Sequence, residues 1–364
     1  MNQFYASFIP GLQNIIVQVI KERLADVIIH KLLDGAVLFE TKTSYDKLNF
    51  FCFNNIFAMI SIAEEFHTGS SNLRFGRHGE NIFIKYINEL LNDKIKNKVI
   101  ANNSKKIKTF RIVISNENVP AAIDEKLRVE AEKFISRLSG LKVNRTLPDT
   151  EFWFLYRRDD SPKGQDFLIF MKRLTIRPSW EKTLHKGELP PPLTWILCYL
   201  ASPVYSDTIL DPFCGYGSIP DAAFKYFHIK NFITCDNNKE AAKYTGVKFK
   251  NRKNSGFILY NMDFCRLPSV IKEKSIDVII TDPPWGHYSD INTGAFLKEM
   301  FEIFGKLLKD GGKIILLYAN DNSLVKAIPS FFELKSSIPV LLSGKKAVIF
   351  ILEKTSHRGT EAQS

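Results

Sequence analysis

The sequence predicts an α/β protein whose C-terminal half is built on a mostly parallel sheet, behind an N-terminal half of α+β character. Three observations carry this expectation. From Leu193 onward, short and nearly continuous apolar strands alternate with helical stretches, the pattern of a parallel sheet covered on both faces. Before that point strands and helices follow one another less regularly and include a hairpin about Asp34-Gly35. Between the halves, Pro178 to Pro192 carries the only triple proline, and proline restricts both itself and its predecessor, so this stretch reads as an extended connector. A chain of 364 residues and 41.7 kDa suits two or three domains. With 45% apolar and 24% charged residues it can bury a real core, which excludes disorder as the main state.

In chain order, Phe4 to Ser7 reads as extended, Pro10-Gly11 as a turn, and Leu12 to Leu24 as a helix with Leu12, Ile15, Ile16, Val19 and Ile20 at helical spacing. Val27 to Ile29 and Ala36 to Glu40 form the hairpin arms. Next come a helix at Ile82 to Leu91, a strand at Thr109 to Ser115, a helix at Ile123 to Leu138, and strands at Lys142 to Asn144 and Glu151 to Tyr156. In the C-terminal half, strands are expected at Asp207 to Leu210, Asn231 to Cys235, Gly256 to Tyr260, Ile276 to Thr281 and Gly312 to Tyr318. Helices follow the first two, at Pro220 to Phe227 and Lys239 to Asn251, and a closing hairpin pairs Phe332 to Ser336 with Lys346 to Glu353. The expected boundaries are residues 1–71 and 72–160 for two N-terminal domains, 161–192 for a linker, 193–354 for the C-terminal domain and 355–364 for a tail.

Five cysteines, Cys52, Cys198, Cys214, Cys235 and Cys265, stand singly, which argues against a disulfide framework or structural zinc and for a reducing compartment. No apolar stretch approaches a membrane span, and the opening residues lack the basic-then-apolar pattern of a secretory signal, so a cytoplasmic protein without membrane or metal is expected. The net charge is +11. Lys94 to Arg177 holds 19 basic against 10 acidic residues, and such a local surplus attracts polyanions.

Chemistry concentrates at strand ends. In Asp211-Pro212-Phe213-Cys214-Gly215-Tyr216-Gly217, the two glycines allow a ligand close to the backbone, and the helix that follows offers free N–H groups and a positive dipole end. Pro220 replaces the third small residue of a dinucleotide fingerprint, and no phosphate-binding lysine is near. Asp211 suits an ammonium-bearing ligand, Asp236 a ribose diol, and Asp263 an adenine amino group; together they outline S-adenosylmethionine. The sharpest motif is Thr281-Asp282-Pro283-Pro284-Trp285-Gly286. Its two prolines stiffen the backbone, so that Asp282 and the Pro283 carbonyl can both accept from one exocyclic amine while Trp285 stacks on the base.

These motifs resemble the first and fourth motifs of class I S-adenosylmethionine-dependent methyltransferases that modify exocyclic amines. The N-terminal half resembles that of the THUMP-containing tRNA guanine-N2 methyltransferases, through Phe4-Tyr5-Ala6-Ser7 with Pro10-Gly11-Leu12, Thr109-Phe110-Arg111-Ile112, Leu141-Lys142-Val143-Asn144 with Pro148-Asp149, and Gly187-Glu188-Leu189-Pro190-Pro191. The resemblance implies an N-terminal ferredoxin-like domain, a THUMP RNA-binding domain, and a Rossmann-like catalytic domain with a mostly parallel seven-stranded sheet. It implies methyl transfer to the N2 amine of a guanosine in tRNA, with S-adenosylhomocysteine as the other product. Asp211, Pro212, Cys214, Gly215, Gly217, Asp236, Asp263 and Phe264 would line the cofactor, and Asp282, Pro283, Pro284 and Trp285 would present the base. Lys105, Lys106, Lys108, Arg111 and Arg145 are the candidate RNA contacts. His287-Tyr288 stand where relatives usually carry a basic residue, and Trp285 where they more often have Tyr or Phe. Two alternatives remain at this point: an adenine-N6 methyltransferase on RNA or DNA, and a non-catalytic RNA-binding protein with a vestigial cofactor pocket.

Overall fold

The computed structural model describes residues 1–355, apart from 45–46, 49, 65–106, 117–118, 121–124, 158–166, 176–183, 252–255, 286–292 and 320–321. The expected helix at Ile82 to Leu91, residues 356–364 of the expected tail, Lys105, Lys106, Gly286 and His287 lie outside the described residues. The chain divides into two units, one of Met1–Phe8 with Gln13–Pro178 and one of Ile9–Leu12 with Ser179–Ser364.

The first unit contains β1 (Asn2–Ser7), α1 (Gln13–Arg23), β2 (Ile28–Leu33), β3 (Ala36–Thr41), β4 (Asn55–Glu64), β5 (Thr109–Asn116), β6 (Val119–Pro120), α2 (Glu125–Ser139), β7 (Lys142–Val143), β8 (Thr150–Arg157) and β9 (Phe167–Arg173). α1 forms where the 3.6-residue spacing puts Ile15, Ile16, Val19 and Ile20 on one buried face. All nine strands join one sheet in the order β2-β3-β1-β4-β9-β8-β5-β6, with β7 alongside β5. The two expected N-terminal domains therefore share a continuous sheet, sewn together by the antiparallel β4–β9 ladder from Phe57↔Arg173 to Glu64↔Phe167. β9 lies inside the stretch expected as a linker. Phe167, Leu168, Ile169, Phe170 and Met171 are all buried, so this strand is apolar on both faces and lacks the alternation that marks a half-exposed one. On one face α2 closes a core of Phe110, Phe134, Phe152, Phe154 and Phe170.

The second unit contains α3 (Pro191–Ala201), β10 (Thr208–Asp211), α4 (Ser218–Tyr226), β11 (Asn231–Cys235), α5 (Lys239–Lys248), β12 (Phe257–Tyr260), β13 (Ile276–Thr281), α6 (Thr293–Leu307), β14 (Leu308–Ala319), α7 (Asn322–Ala327), β15 (Phe332–Leu342) and β16 (Lys345–Lys354). Its seven strands run β12-β11-β10-β13-β14-β16-β15, parallel except for the antiparallel β14–β16 and β15–β16 pairs. The chain moves outward from β10 through β11 to β12, then returns to β13 on the other side of β10. That reversal is where open α/β sheets bind ligands, beyond the carboxyl ends of the strands. α3, buried through Trp195, Ile196, Leu197 and Cys198, begins on the proline run because Pro191 and Pro192 sit in the first turn, where a missing N–H costs nothing.

Candidate active site

Asp211 ends β10 and Thr281 ends β13, the two strands that meet at the reversal, and they are joined directly: Thr281 Oγ1 donates to Asp211 Oδ1 at 2.8 Å. Asp211 also accepts from the Phe213 N–H at 3.2 Å. It is fully buried, and its Oδ2 has no hydrogen-bond partner among the described residues. Burial drives its pKa up to about 8; the Thr281 and Phe213 donors resist this, while the charges of Asp236 and Asp282 add to it. Asp211 is thus placed beneath the glycine loop, holding it to β13, and has no surface to offer an ammonium group. Local sequence cannot reveal this, since the partner is 70 residues away.

The loop above Asp211 is built as the glycines suggest. Gly215 has φ +49° and open space on the side where a Cβ would stand; Gly217, at φ +76°, begins α4 with its back against Thr245 and Phe249. The loop is pinned from three sides. The Gly215 N–H donates to Asp236 Oδ2 at 2.7 Å, the Gly215 carbonyl accepts from Thr245 Oγ1 at 2.9 Å, and the Cys214 N–H reaches the Cys235 carbonyl at 2.9 Å. Pro212 and Cys214 are buried with it. Thr245 was silent in the sequence, because nothing marks a helical threonine as facing a loop 30 residues earlier.

Asp236, at the end of β11, keeps some exposed surface; its other oxygen accepts from the Asn238 N–H at 2.8 Å, and Asn238 in turn caps α5. Each carboxylate oxygen retains a lone pair, so a diol can still be accepted. Asp263 is exposed and takes the Cys265 N–H at 2.9 Å, capping the short 3₁₀ helix Phe264–Ser269. Phe264 is buried in a ring cluster with Phe213 and Phe296, at centroid distances of 4.9 and 5.5 Å. A further aromatic group covers the loop: His185 stacks on Tyr216 at 4.0 Å and 8°, with Tyr244 edge-on to both.

The Asp-Pro-Pro-Trp segment leaves the end of β13 with Pro283 buried, Pro284 exposed, and Asp282 and Trp285 half-buried. Asp282 Oδ1 accepts from the Trp285 indole N–H at 2.8 Å. Desolvation by the surrounding protein raises the Asp282 pKa to about 7, against the stabilising effect of that indole donor. The sequence reading treats Trp285 as a stacking ring alone; its bond to Asp282 is a tertiary fact.

The candidate RNA contacts fare differently. Lys108 is exposed, and its backbone N–H, not its ammonium, is tied to Asp149. Arg111 is engaged with Glu151, and Arg145 makes a two-pronged bond to Glu132 at 2.9 and 2.8 Å plus a contact to Glu125 at 2.8 Å. Both arginines are paired with glutamates of the first unit while keeping 38% and 45% of their side chains exposed. Among the described residues no cluster of three or more His, Cys, Asp or Glu side chains could hold a metal ion, and no helix is long and apolar enough to cross a membrane.

Residues 178–338 match the family model UPF0020, the RMKL-like methyltransferase domain. The chain is 27% identical over 220 residues to the tRNA (guanine(10)-N2)-dimethyltransferase of Methanocaldococcus jannaschii, covering 53% of this chain and 57% of that one. It is 25% identical over 206 residues to the mouse tRNA (guanine(6)-N(2))-methyltransferase THUMP3, covering 48% of this chain and 40% of that one. The chain thus spans only about half the length of the relatives it matches. In fold it is similar to TrmN from Thermus thermophilus, with a TM-score of 0.71 over 97% of this chain and 100% of that one, at 18% identity. Glycine loop, strand-end carboxylates and Asp-Pro-Pro-Trp turn all fall within residues 178–338, the stretch that matches the RMKL-like methyltransferase domain.

Proposed function

We propose that the protein transfers a methyl group from S-adenosylmethionine to the exocyclic N2 amine of a guanosine in tRNA, releasing S-adenosylhomocysteine. The observation that carries this is the Thr281–Asp211 bond, which sets the base-presenting turn and the glycine loop side by side at the sheet reversal. The naming of both relatives as tRNA guanine-N2 methyltransferases supports the choice of amine and RNA.

The residues present fit the cofactor. Open space beside Gly215 admits a chain close to the backbone, the accessible Asp236 can take a ribose diol, and Asp263 with Phe264 stands where an adenine would reach the end of β12. S-adenosylmethionine supplies an electrophilic methyl on a positively charged sulfur. The protein's part is positioning. Asp282 and the Pro283 carbonyl accept the two N–H bonds of the amine, which pulls the nitrogen lone pair out of the ring's π system and leaves it aimed at the methyl. As the new N–C bond forms the nitrogen must shed a proton, and Asp282, with a pKa of about 7, can take it and pass it to solvent. The base must first leave any stack it occupies, at roughly a few kcal/mol, which basic residues of the first unit offset through phosphate contacts. A cytoplasmic setting suits five free cysteines.

Mass spectrometry of tRNA fragments from cells with and without the gene tests the reading. N2-methylguanosine should disappear in its absence; loss of N6-methyladenosine instead would reject the choice of base. Because an ionised Asp282 is the better acceptor, activity should rise with pH through about 7.

A further inference from the structure

Trp285 does more at this site than offer a flat face. Its indole N–H donates to Asp282 Oδ1 at 2.8 Å, and its ring packs against the buried core cluster that includes Leu297, Phe301 and Tyr318. A phenyl ring in its place could stack on a base but has no N–H to give. Among the described residues, the Trp285 indole is the one hydrogen-bond donor to the Asp282 side chain, which leaves Oδ2 available. A hydrogen bond to one oxygen restrains the carboxylate about its Cβ–Cγ bond and so biases the direction of the other oxygen.

We propose that the Trp285 indole N–H is a positioning group for Asp282, holding Oδ1 so that Oδ2, together with the Pro283 carbonyl, receives the exocyclic amine. Stacking ring and acceptor then form one rigid piece. A base lying on the indole has its amine already in register with Oδ2, and neither partner must be ordered separately when RNA binds. The same bond favours the ionised carboxylate against the desolvation that surrounds it. This deepens the methyl-transfer reading and rests on it.

The test uses the full chain. Trp285→Phe keeps a flat ring and removes the N–H. The expected result is a kcat for tRNA methylation lower by roughly 10–100-fold, with the KM for tRNA and the Kd for S-adenosylmethionine within about threefold of wild type. The acid limb of the kcat profile should also move to higher pH, because the ionised form of Asp282 has lost a donor. Among the described residues the titratable group facing Asp282 is Asp211 from the end of β10, and the variant leaves it in place. A raised KM with unchanged kcat and an unmoved limb would make Trp285 a stacking surface only and overturn the proposal. A second measurement needs no turnover. In 15N-labelled protein, the indole cross-peak that vanishes in Trp285→Phe should titrate near pH 7, and the titration should be lost in Asp282→Asn. An indole signal indifferent to both overturns the proposal even in an active enzyme. Wild-type protein that binds S-adenosylmethionine but methylates no RNA overturns the reading of function, while the indole titration still decides the pairing.

Discussion

The two units treat buried carboxylates in opposite ways. In the first, Glu151 is buried between Arg111 and Arg173 and takes the Trp153 indole N–H at 2.8 Å. Burial alone would raise its pKa, but the Trp153 donor and the two guanidinium groups more than offset that and hold it below the ordinary value. In the second unit, Asp211 and Asp282 have no cation beside them among the described residues, and burial lifts them to about 8 and about 7. A paired buried carboxylate belongs to the scaffold. Asp211 is sealed beneath the loop, whereas the half-buried Asp282, raised by burial with no cation beside it among the described residues, has the usual signature of a group that meets a charged or polar ligand. Arg111 and Arg145, the RNA contacts expected from the sequence, are each paired with a buried glutamate inside the first unit.

Substitutions can break or sharpen this contrast. The largest effect should come from Asp282→Ala, which should lower methyl transfer by about 10²–10³-fold while calorimetry shows S-adenosylmethionine binding within about threefold of wild type. Loss of cofactor binding in parallel would give Asp282 a different role. Glu151→Gln should cost about 3 kcal/mol in denaturant unfolding at pH 7, near the low end for breaking a buried pair because Arg111 is 38% exposed. Its contribution has the sign of a lowered carboxylate: present above the ordinary value of 4.5 and lost as pH falls through the folded value.

Asp211→Asn should behave in the reverse sense. Between its ordinary value of 3.8 and about 8, folded Asp211 keeps a proton that the unfolded chain has released, so wild-type stability falls as pH rises through that window. The variant should remove a slope of roughly 1 kcal/mol per pH unit, read from unfolding midpoints at pH 5 to 8. An identical slope in both proteins would show that Asp211 is ionised throughout. The smallest effect belongs to Lys108→Glu, which should weaken tRNA binding modestly and lower the salt slope by about one if that ammonium meets a phosphate. An unchanged slope moves the RNA surface elsewhere.

Much of the fold was legible because local patterns carried it. The spacing of Ile15, Ile16, Val19 and Ile20 announced α1, Asp34-Gly35 the β2–β3 hairpin, and the apolar runs at Ile209, Phe232, Ile258 and Ile279 the parallel strands. β4 and β9 were missed; β9 is apolar on both faces and lies in the stretch 161–192 that was expected as a linker. α3 was missed because a proline run reads as extended until its last members are seen to occupy a helix's first turn.

At the site the sequence by itself determined which atoms are present: the glycines whose positive φ opens a place beside the backbone, the aspartates at successive strand ends, and the Asp-Pro-Pro-Trp turn. Those are properties of residue type and order, and order places them at strand ends. Only the tertiary structure decided what each carboxylate faces. Asp211 is sealed under the loop by Thr281 from a strand 70 positions away, Asp236 is drawn to the Gly215 N–H, and Asp282 has one oxygen claimed by an indole. Hydrogen-bond partners and dielectric surroundings are set by which strands become neighbours, and residue spacing along the chain does not encode them.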